Sequence, residues 1–502
     1  MTCIESHKET VQSASRPHSL NLKGLQARPA LESPPIPTFP SAWNGAEAII
    51  KPAIVIAAAG VLLWTLLSGD FWRFHSLPDQ TMFGRVTWGV AMGYGLIVFL
   101  ALIWRLRLWS RYRPMEAVED ADLPSVTVVI PAYNEGSLVR DSILSAAASR
   151  YPSDRMEIIV IDDGSSDDTW SYIRSAAREV GSHVNIRTFR QPRNKGKRQA
   201  LYLGFMRARG DVFVTIDSDS VLEPDALRNA VTPLVRDPSV DCVAGCVQVM
   251  NPRQNLFTRF LKVYFSLSFK FVRAYQNEFR GVFCTPGALS VYREDVVRRV
   301  ADEWLDQQFL GLPCATGEDR SMTNLILREG GLTAYQGNAV VWSKAPDNYR
   351  DMVNMFLRWA RSNIRETIVL WRFMFSRFRS RFVNTFRLNM VIVLLSLVMP
   401  PLLIAHSAAL LATSDGFFVR YLGVTLIFAS IMSVIYYRNE RDHDWIWLLV
   451  YNFFWITSLS WILPYAAVTL RNTRWLTRGA DDQDPDARRN PSDTELAELL
   501  AN

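Results

Sequence analysis

Five apolar runs long enough to cross a bilayer divide this chain of 502 residues before any other feature is weighed. A helix needs about 20 apolar residues to traverse the hydrocarbon layer. Runs of roughly that length occupy Pro52 to Leu67, Val86 to Trp104, Leu388 to Leu411, Val419 to Tyr437 and Trp445 to Leu470. Two precede and three follow a polar central stretch large enough to fold as a domain of its own. Composition agrees with such a hybrid. Hydrophobic residues make up 49%, and the sixteen tryptophans suit membrane interfaces, which indole rings favour. Five cysteines (Cys3, Cys242, Cys246, Cys284, Cys314) lack metal-ligand spacing, which speaks against a zinc site or a disulfide scaffold.

Charge sets the orientation. Arg105, Arg107, Arg111 and Arg113 follow the second run, so the positive-inside rule puts the central domain, and with it the N-terminus, in the cytoplasm. The net charge of +6 is concentrated in such arginines and reads as membrane orientation, not nucleic-acid binding. The chain is therefore expected to be a multi-pass protein of the cell membrane. Residues 1–50 are expected to be a disordered cytosolic tail, since they are polar and carry no signal-peptide pattern. Two transmembrane helices (51–104), a cytosolic domain (105–348) and interfacial amphipathic helices (349–386) follow, the last with arginines snorkelling into headgroups. The C-terminal membrane helices (387–470) and a basic, then acidic, cytosolic tail (471–502) complete the order. Pro400-Pro401 and Pro464 predict kinks. If all five runs crossed, the basic stretch from Arg471 to Arg478 would end outside, so the fifth is expected to double back at Pro464 or lie along the interface.

In the central stretch, β-rich runs (Val126 to Pro131, Glu157 to Ile161, Val184 to Phe189, Val212 to Ile216) alternate with helix-like segments (Ser137 to Ser149, Asp167 to Val180, Lys195 to Arg209, Pro224 to Val235). This alternation predicts an α/β domain with a mostly parallel sheet, whose ligands bind at the carboxyl ends of the strands. Tyr133-Asn134-Glu135 follows the first strand, Asp162-Asp163-Gly164-Ser165 the second, and Asp217-Ser218-Asp219 the fourth. Asp217 and Asp219 are two apart, so an extended segment would point both carboxylates one way, suiting a divalent cation such as Mg2+ or Mn2+. Solvated loop acids or helix caps would carry the same letters. Asp162 and Asp163 fit either a helix start or hydrogen bonds to a nucleoside. Lys197 and Arg198 open a helix whose amino end attracts anions, and they fit either a basic turn or a diphosphate grip. Glu318 and Asp319 are either dipole partners of a helix start or acids that include a general base. Arg358 and Trp359 are ambiguous alone.

Taken in order, these pieces resemble the membrane-embedded family 2 glycosyltransferases, the processive β-glycan synthases, over roughly Pro124 to Arg478. Within that group the chain looks most like hyaluronan synthases and rhizobial chitooligosaccharide synthases. Three strings carry the likeness: Gly317-Glu318-Asp319-Arg320-Ser321-Met322-Thr323-Asn324, the string from Leu357-Arg358-Trp359 to Arg365-Glu366, and Asn472-Thr473-Arg474-Trp475-Leu476-Thr477-Arg478. The resemblance implies a GT-A-like domain inserted between membrane helices, and a UDP-sugar donor, UDP-N-acetylglucosamine alone or with UDP-glucuronic acid. It implies that Tyr133, Glu135, Asp162 and Asp163 contact the nucleoside, Lys197 and Arg198 the diphosphate, and Asp217 and Asp219 the sugar-phosphate and metal. Asp319 would be the base, with Glu318 beside it. Arg358 would assist the leaving diphosphate, Trp359 would floor the acceptor, and Trp475 and Arg478 would close over the nucleotide. A growing polysaccharide would leave through the membrane helices, with an accessory export protein left open. Two positions depart from the family pattern. Met355 stands where the family has Gln, and Pro286-Gly287 where those synthases have Gly-Pro. The competing readings are single-sugar transfer to a lipid carrier, a glucan synthase using UDP-glucose, and a binding or transport protein with a degenerate transferase domain.

Overall fold

The computed structural model describes residues 33–39, 45–67, 82–413 and 417–472. Of the expected tails only 33–39, 45–50 and 471–472 fall within the described residues. Two helices lead, α1 (Glu47–Leu67) and α2 (Met82–Arg111). The alternating unit follows as β1 (Val126–Ala132), α3 (Leu138–Ala147), β2 (Met156–Asp162), α4 (Thr169–Val180), β3 (Asn185–Arg190), α5 (Lys197–Arg207) and β4 (Val212–Thr215). The chain continues through β5 (Ser220–Leu222), α6 (Ala226–Arg236), β6 (Val240–Val249), α7 (Leu256–Ser266), β7 (Ser290–Arg293) and α8 (Glu294–Leu305). Next come the short hairpin β8 (Gln308–Phe309) and β9 (Leu312–Pro313), then α9 (Glu318–Arg328), β10 (Leu332–Ser343) and α10 (Tyr349–Met374). The last helices are α11 (Val383–Thr413), α12 (Phe417–Glu440), α13 (Ile446–Phe454) and α14 (Ile462–Val468).

Eight strands form one sheet in the order β3-β2-β1-β4-β7-β6-β10-β5. The first four are mutually parallel, as the βαβ pattern requires. β7 runs antiparallel between β4 and β6, and β5 closes the far edge antiparallel to β10. Every residue of β1 and β2 is buried, which is why both read as largely apolar runs; the polar pair inside them is satisfied across the strands, Thr127 Oγ1 donating to Glu157 Oε2 at 3.0 Å. Val128 and Ile130 join a core with α3, α4 and α6. Val129, Ile159 and Ile161 join a second core with α5, α8 and α9 on the opposite face. α5 packs so closely that a Cβ at Gly204 would come within 2.3 Å of Val129 Cγ1.

Among the described residues four helical stretches are long and apolar enough to cross a membrane: Glu47–Leu67, Gly89–Arg111, Tyr421–Glu440 and His443–Val468. Val383–Met399 is a shorter apolar stretch inside α11, and α11 continues through Pro400-Pro401. α1 starts one turn before Pro52, within the expected tail, because the polar residues there have partners. Glu47 pairs with Lys51 at 2.9 Å and with buried Arg259 of α7. The fifth run does not reverse at Pro464, which lies inside α14. The backbone stays right-handed helical through Ser460 and Trp461 just before it, with a ladder hydrogen bond missing because proline lacks the N–H that would bond one turn back.

The sheet domain and the helices share a core. Phe260, Val263, Phe271, Tyr275 and Phe279, on α7 and the helical residues after it, pack with Leu370, Met374, Phe386, Tyr436, Trp447 and Tyr451. Ion pairs reinforce the joint at its polar edge, Lys262 to Asp442 (2.6 Å) and Asp444 (2.5 Å), and Lys270 to Glu440 (2.8 Å). Arginines in the expected interfacial region depart from the snorkelling picture. Arg361, Arg365 and Arg379 are buried in protein, because Thr469 Oγ1, the Thr316 carbonyl and the carbonyls of Phe279 and Arg280 respectively accept their hydrogen bonds.

The Gly204 contact yields a stability test. Gly204→Ala should lose about 1–3 kcal/mol through overpacking against β1, read as a lower unfolding midpoint of the purified protein. An unchanged midpoint would contradict so close a helix–sheet approach.

Candidate active site

The loops that leave β1, β2 and β4 meet at one edge of the sheet and are stitched together by their own polar groups. Asn134, in the left-handed region (φ 51°), accepts at Oδ1 from Ser166 N (2.9 Å), while its own N–H donates to Ser165 Oγ (3.0 Å). Thr169 Oγ1 accepts from Glu135 N and Gly136 N at 2.8 and 2.9 Å. Glu135 Oε1 in turn accepts from Ser218 Oγ at 3.0 Å. Tyr133 and Glu135 thus stand at the junction of the first and fourth strand ends, half-buried.

Asp162 and Asp163 are spent on holding this edge together. Asp162 Oδ1 accepts from Ser165 N at 3.0 Å, and its other oxygen pairs with Arg190 at 3.0 Å. Asp163 accepts from Gln191 Nε2 and the backbone N–H groups of Lys195 and Gly196 at 2.8–2.9 Å. Both are fully or almost fully buried, so they shape the loop in front of α5.

Asp217-Ser218-Asp219 is a turn, not the extended segment expected, with Ser220 N donating to the Asp217 carbonyl at 3.1 Å. Lys197, the first residue of α5, reaches over to Asp217 Oδ1 at 2.5 Å and to Glu318 Oε1 at 2.9 Å. One ammonium therefore ties the β4 turn to the start of α9. Burial and the neighbouring Asp217 charge push the Asp219 carboxyl up to about 6, against the pull of Lys197. Burial opposes ionisation of Glu318 as well, yet Lys197, with Arg358 nearby, holds it well below the usual carboxylate range. Asp319 is raised by burial and by the Glu318 charge. Its Oδ2 lies 3.4 Å from Cys284 Sγ, and its Oδ1 accepts from Arg320 N at 2.7 Å.

α10 supplies the opposite wall. Its start is fixed by Asn348, whose side chain accepts from Asp351 N. Trp359 stacks on Tyr264 of α7, with centroids 6.3 Å apart, and leans on Phe265 at 5.9 Å. Met355, one turn before Trp359 and so on the same side of the helix, is buried with Leu261, Met352 and Phe356 in the cluster that Trp359 packs against. That slot is apolar, so a thioether fits where an amide would lack partners.

Arg198 departs from its expected role. Successive helix residues point about 100° apart, so with Lys197 turned to the acids, Arg198 goes inward. It donates to the Trp304 carbonyl and to Gln307 Oε1, over the Trp304 ring. Trp475 and Arg478 lie outside the described residues. Sequence reasoning missed Gly287 as a site residue. A Cβ there would fall 2.6 Å from Lys197 Nζ and 3.2 Å from Asp217 Oδ1, so the exchanged Pro-Gly order keeps a side chain out of this space. It also missed Gln307, whose partners are distant in sequence.

The residues present fit a hard divalent cation. Among the described residues no three acidic, His or Cys groups form a metal cage, but Asp217 and Asp219 are neighbouring carboxylates, the charge of one opposing ionisation of the other, and the absence of a side chain at Gly287 leaves Asp217 and its lysine uncovered on that side. That is the donor set of an ion completed by waters and substrate phosphates.

Residues 124–362 match the family described as glycosyltransferase like family 2. An N-acetylglucosaminyltransferase of Neorhizobium galegae is 28% identical over 76% of this chain and 87% of that protein. A hyaluronan synthase of Streptococcus pyogenes is 29% identical over 80% of this chain and 93% of that protein. In fold the chain is similar to a mannosyltransferase from Pyrobaculum calidifontis, solved with GDP-Man and Mn2+. The TM-score is 0.53 at 21% identity, covering 76% of this chain and 98% of that one. The sheet domain is accordingly a GT-A-like glycosyltransferase family 2 domain, and the protein is a hexosyltransferase flanked by helices of membrane-spanning length.

Proposed function

We propose that this protein is a processive, inverting β-glycosyltransferase. It polymerises sugar from a UDP-sugar, UDP-N-acetylglucosamine alone or alternating with UDP-glucuronic acid, at the cytoplasmic face of the cell membrane. The observation that carries the reading is the Lys197 bridge between Asp217 and Glu318, which gathers the donor-side acids and the base-bearing helix in one place. Support for the sugars comes from the relatives named N-acetylglucosaminyltransferase and hyaluronan synthase. Support for the membrane setting comes from the shared core that seats the domain on the apolar helices.

In this reading Tyr133 and Glu135 border the nucleoside, and Lys197 lies against the diphosphate. Asp217 and Asp219 would hold Mg2+ or Mn2+, which when bound supplies positive charge to the departing diphosphate. Asp319, made more basic by burial and by Glu318, takes the proton from an acceptor hydroxyl. That oxygen bonds to the anomeric carbon as the bond from this carbon to the UDP oxygen breaks, so an α-linked donor gives a β-linked product. Arg358, close enough to Glu318 to lower its pKa, steadies charge on the leaving side. Trp359 gives the acceptor pyranose an apolar face to rest on. The polymer then moves out between the membrane helices, to an accessory protein if one receives it.

Purified protein given single and paired UDP-sugars tests the reading through UDP release and product size. Long polymer from UDP-N-acetylglucosamine, alone or paired, is expected. A product of one sugar on lipid would overturn processivity, polymer from UDP-glucose would overturn the sugar assignment, and absence of UDP release would overturn transfer altogether. Asp319→Asn should cut turnover about a hundredfold or more while UDP affinity stays near wild type. Near-normal turnover would remove Asp319 from the role of base.

A further inference from the structure

Glu366 sits on α10, seven residues after Trp359, and is wholly buried, at 0% exposure. Its carboxylate accepts from Gln307 Nε2 at 3.1 and 3.4 Å, from Asn324 Nδ2 at 2.9 Å and from Arg365 Nε at 3.0 Å. Each donor leads back to a different part of the active site. Gln307 Oε1 accepts two hydrogen bonds from Arg198, both at 3.0 Å, and Arg198 is the immediate neighbour of Lys197. Asn324 belongs to α9, whose first residues are Glu318 and Asp319. Arg365 donates to the Thr316 carbonyl, just before Gly317. There the chain is left-handed (φ +76°), and a Cβ would come within 1.8 Å of Ser362 Oγ and 2.9 Å of Arg365 Nη2.

A single anion thus joins the donor lysine's helix, the base helix and the helix carrying Arg358 and Trp359. One buried guanidinium, Arg365, bonds to it directly, and a second, Arg198, is linked to it through Gln307. Removing the charge from such a set leaves cations buried without a counterion, which disturbs the geometry more than the loss of one hydrogen bond.

We propose that Glu366 is a positioning residue that fixes the acceptor wall against base and donor, and so sets how an activated donor is divided between a sugar hydroxyl and water. This rests on the transferase reading above. Attack requires reacting atoms held close and aligned, so a shift of about 1 Å costs about a hundredfold in rate. Water needs no such wall and is affected less.

The test compares full-length wild type with Glu366→Gln and Gln307→Leu, measuring polymer formed, UDP released without polymer, and UDP affinity. Glu366→Gln is expected to lower polymer formation on the order of ten- to a hundredfold. The ratio of donor hydrolysis to transfer should rise about tenfold, with UDP affinity within about threefold of wild type. Gln307→Leu cuts the link to Arg198 but keeps the Glu366 charge, and should move the ratio in the same direction. If Glu366→Gln cannot be recovered folded, Gln307→Leu decides. A merely structural role would lower hydrolysis and transfer together, and an unchanged ratio in the folded variants overturns the proposal. A wild type that transfers normally beside variants with unchanged ratios removes only the positioning role. A wild type that releases no UDP removes the transferase reading as well.

Discussion

Four carboxylates, Asp217, Asp219, Glu318 and Asp319, border one edge of the sheet, and the ammonium of Lys197 bonds to two of them. Like charges at close range disfavour each other's ionisation. Burial opposes ionisation of both Asp219 and Glu318; the Asp217 charge adds to it at Asp219, which is raised, while the Lys197 contact outweighs it at Glu318, which is lowered. Because Lys197 begins α5, Asp217 lies in the turn two residues after β4 and Glu318 begins α9, this one contact holds three elements in register. In the proposed function, that surplus of acid is what a divalent cation would offset and Lys197 is what a diphosphate would meet.

Much of the first half of the domain was legible in the sequence, for a physical reason. β1, β2 and β4 are buried on both faces, so they read as mostly apolar runs, and each is followed by polar residues at the sheet edge. The second half was not read. β6 and β10 are interrupted by glycine and polar residues, and β7 is four residues long. Their identity comes from pairing with each other and with β4, a long-range effect that local pattern does not carry.

Individual side-chain roles were less legible than positions. Lys197 and Arg198 look alike in sequence, but the helix turns them apart, one to the acids and one to Gln307. Asp217 and Asp219 share an edge because of a turn, not because of strand alternation. The arginines of α10 looked like a lipid-facing basic stripe, yet Arg361 and Arg365 are buried with partners on α14's end and on the loop before α9. Thus α10 couples the acid edge to the apolar helices: Trp359 packs against Tyr264, and two turns further along the same side of the helix Glu366 holds Gln307, which reaches Lys197's helix through Arg198.

The most direct measurement of the central claim is a titration of UDP into purified protein with and without Mn2+, repeated on Asp219→Asn. If the acid edge is the donor site, UDP binding should need the cation and should weaken by about tenfold or more when Asp219 loses its charge. UDP that binds equally well in excess chelator, and equally well to Asp219→Asn, would contradict it.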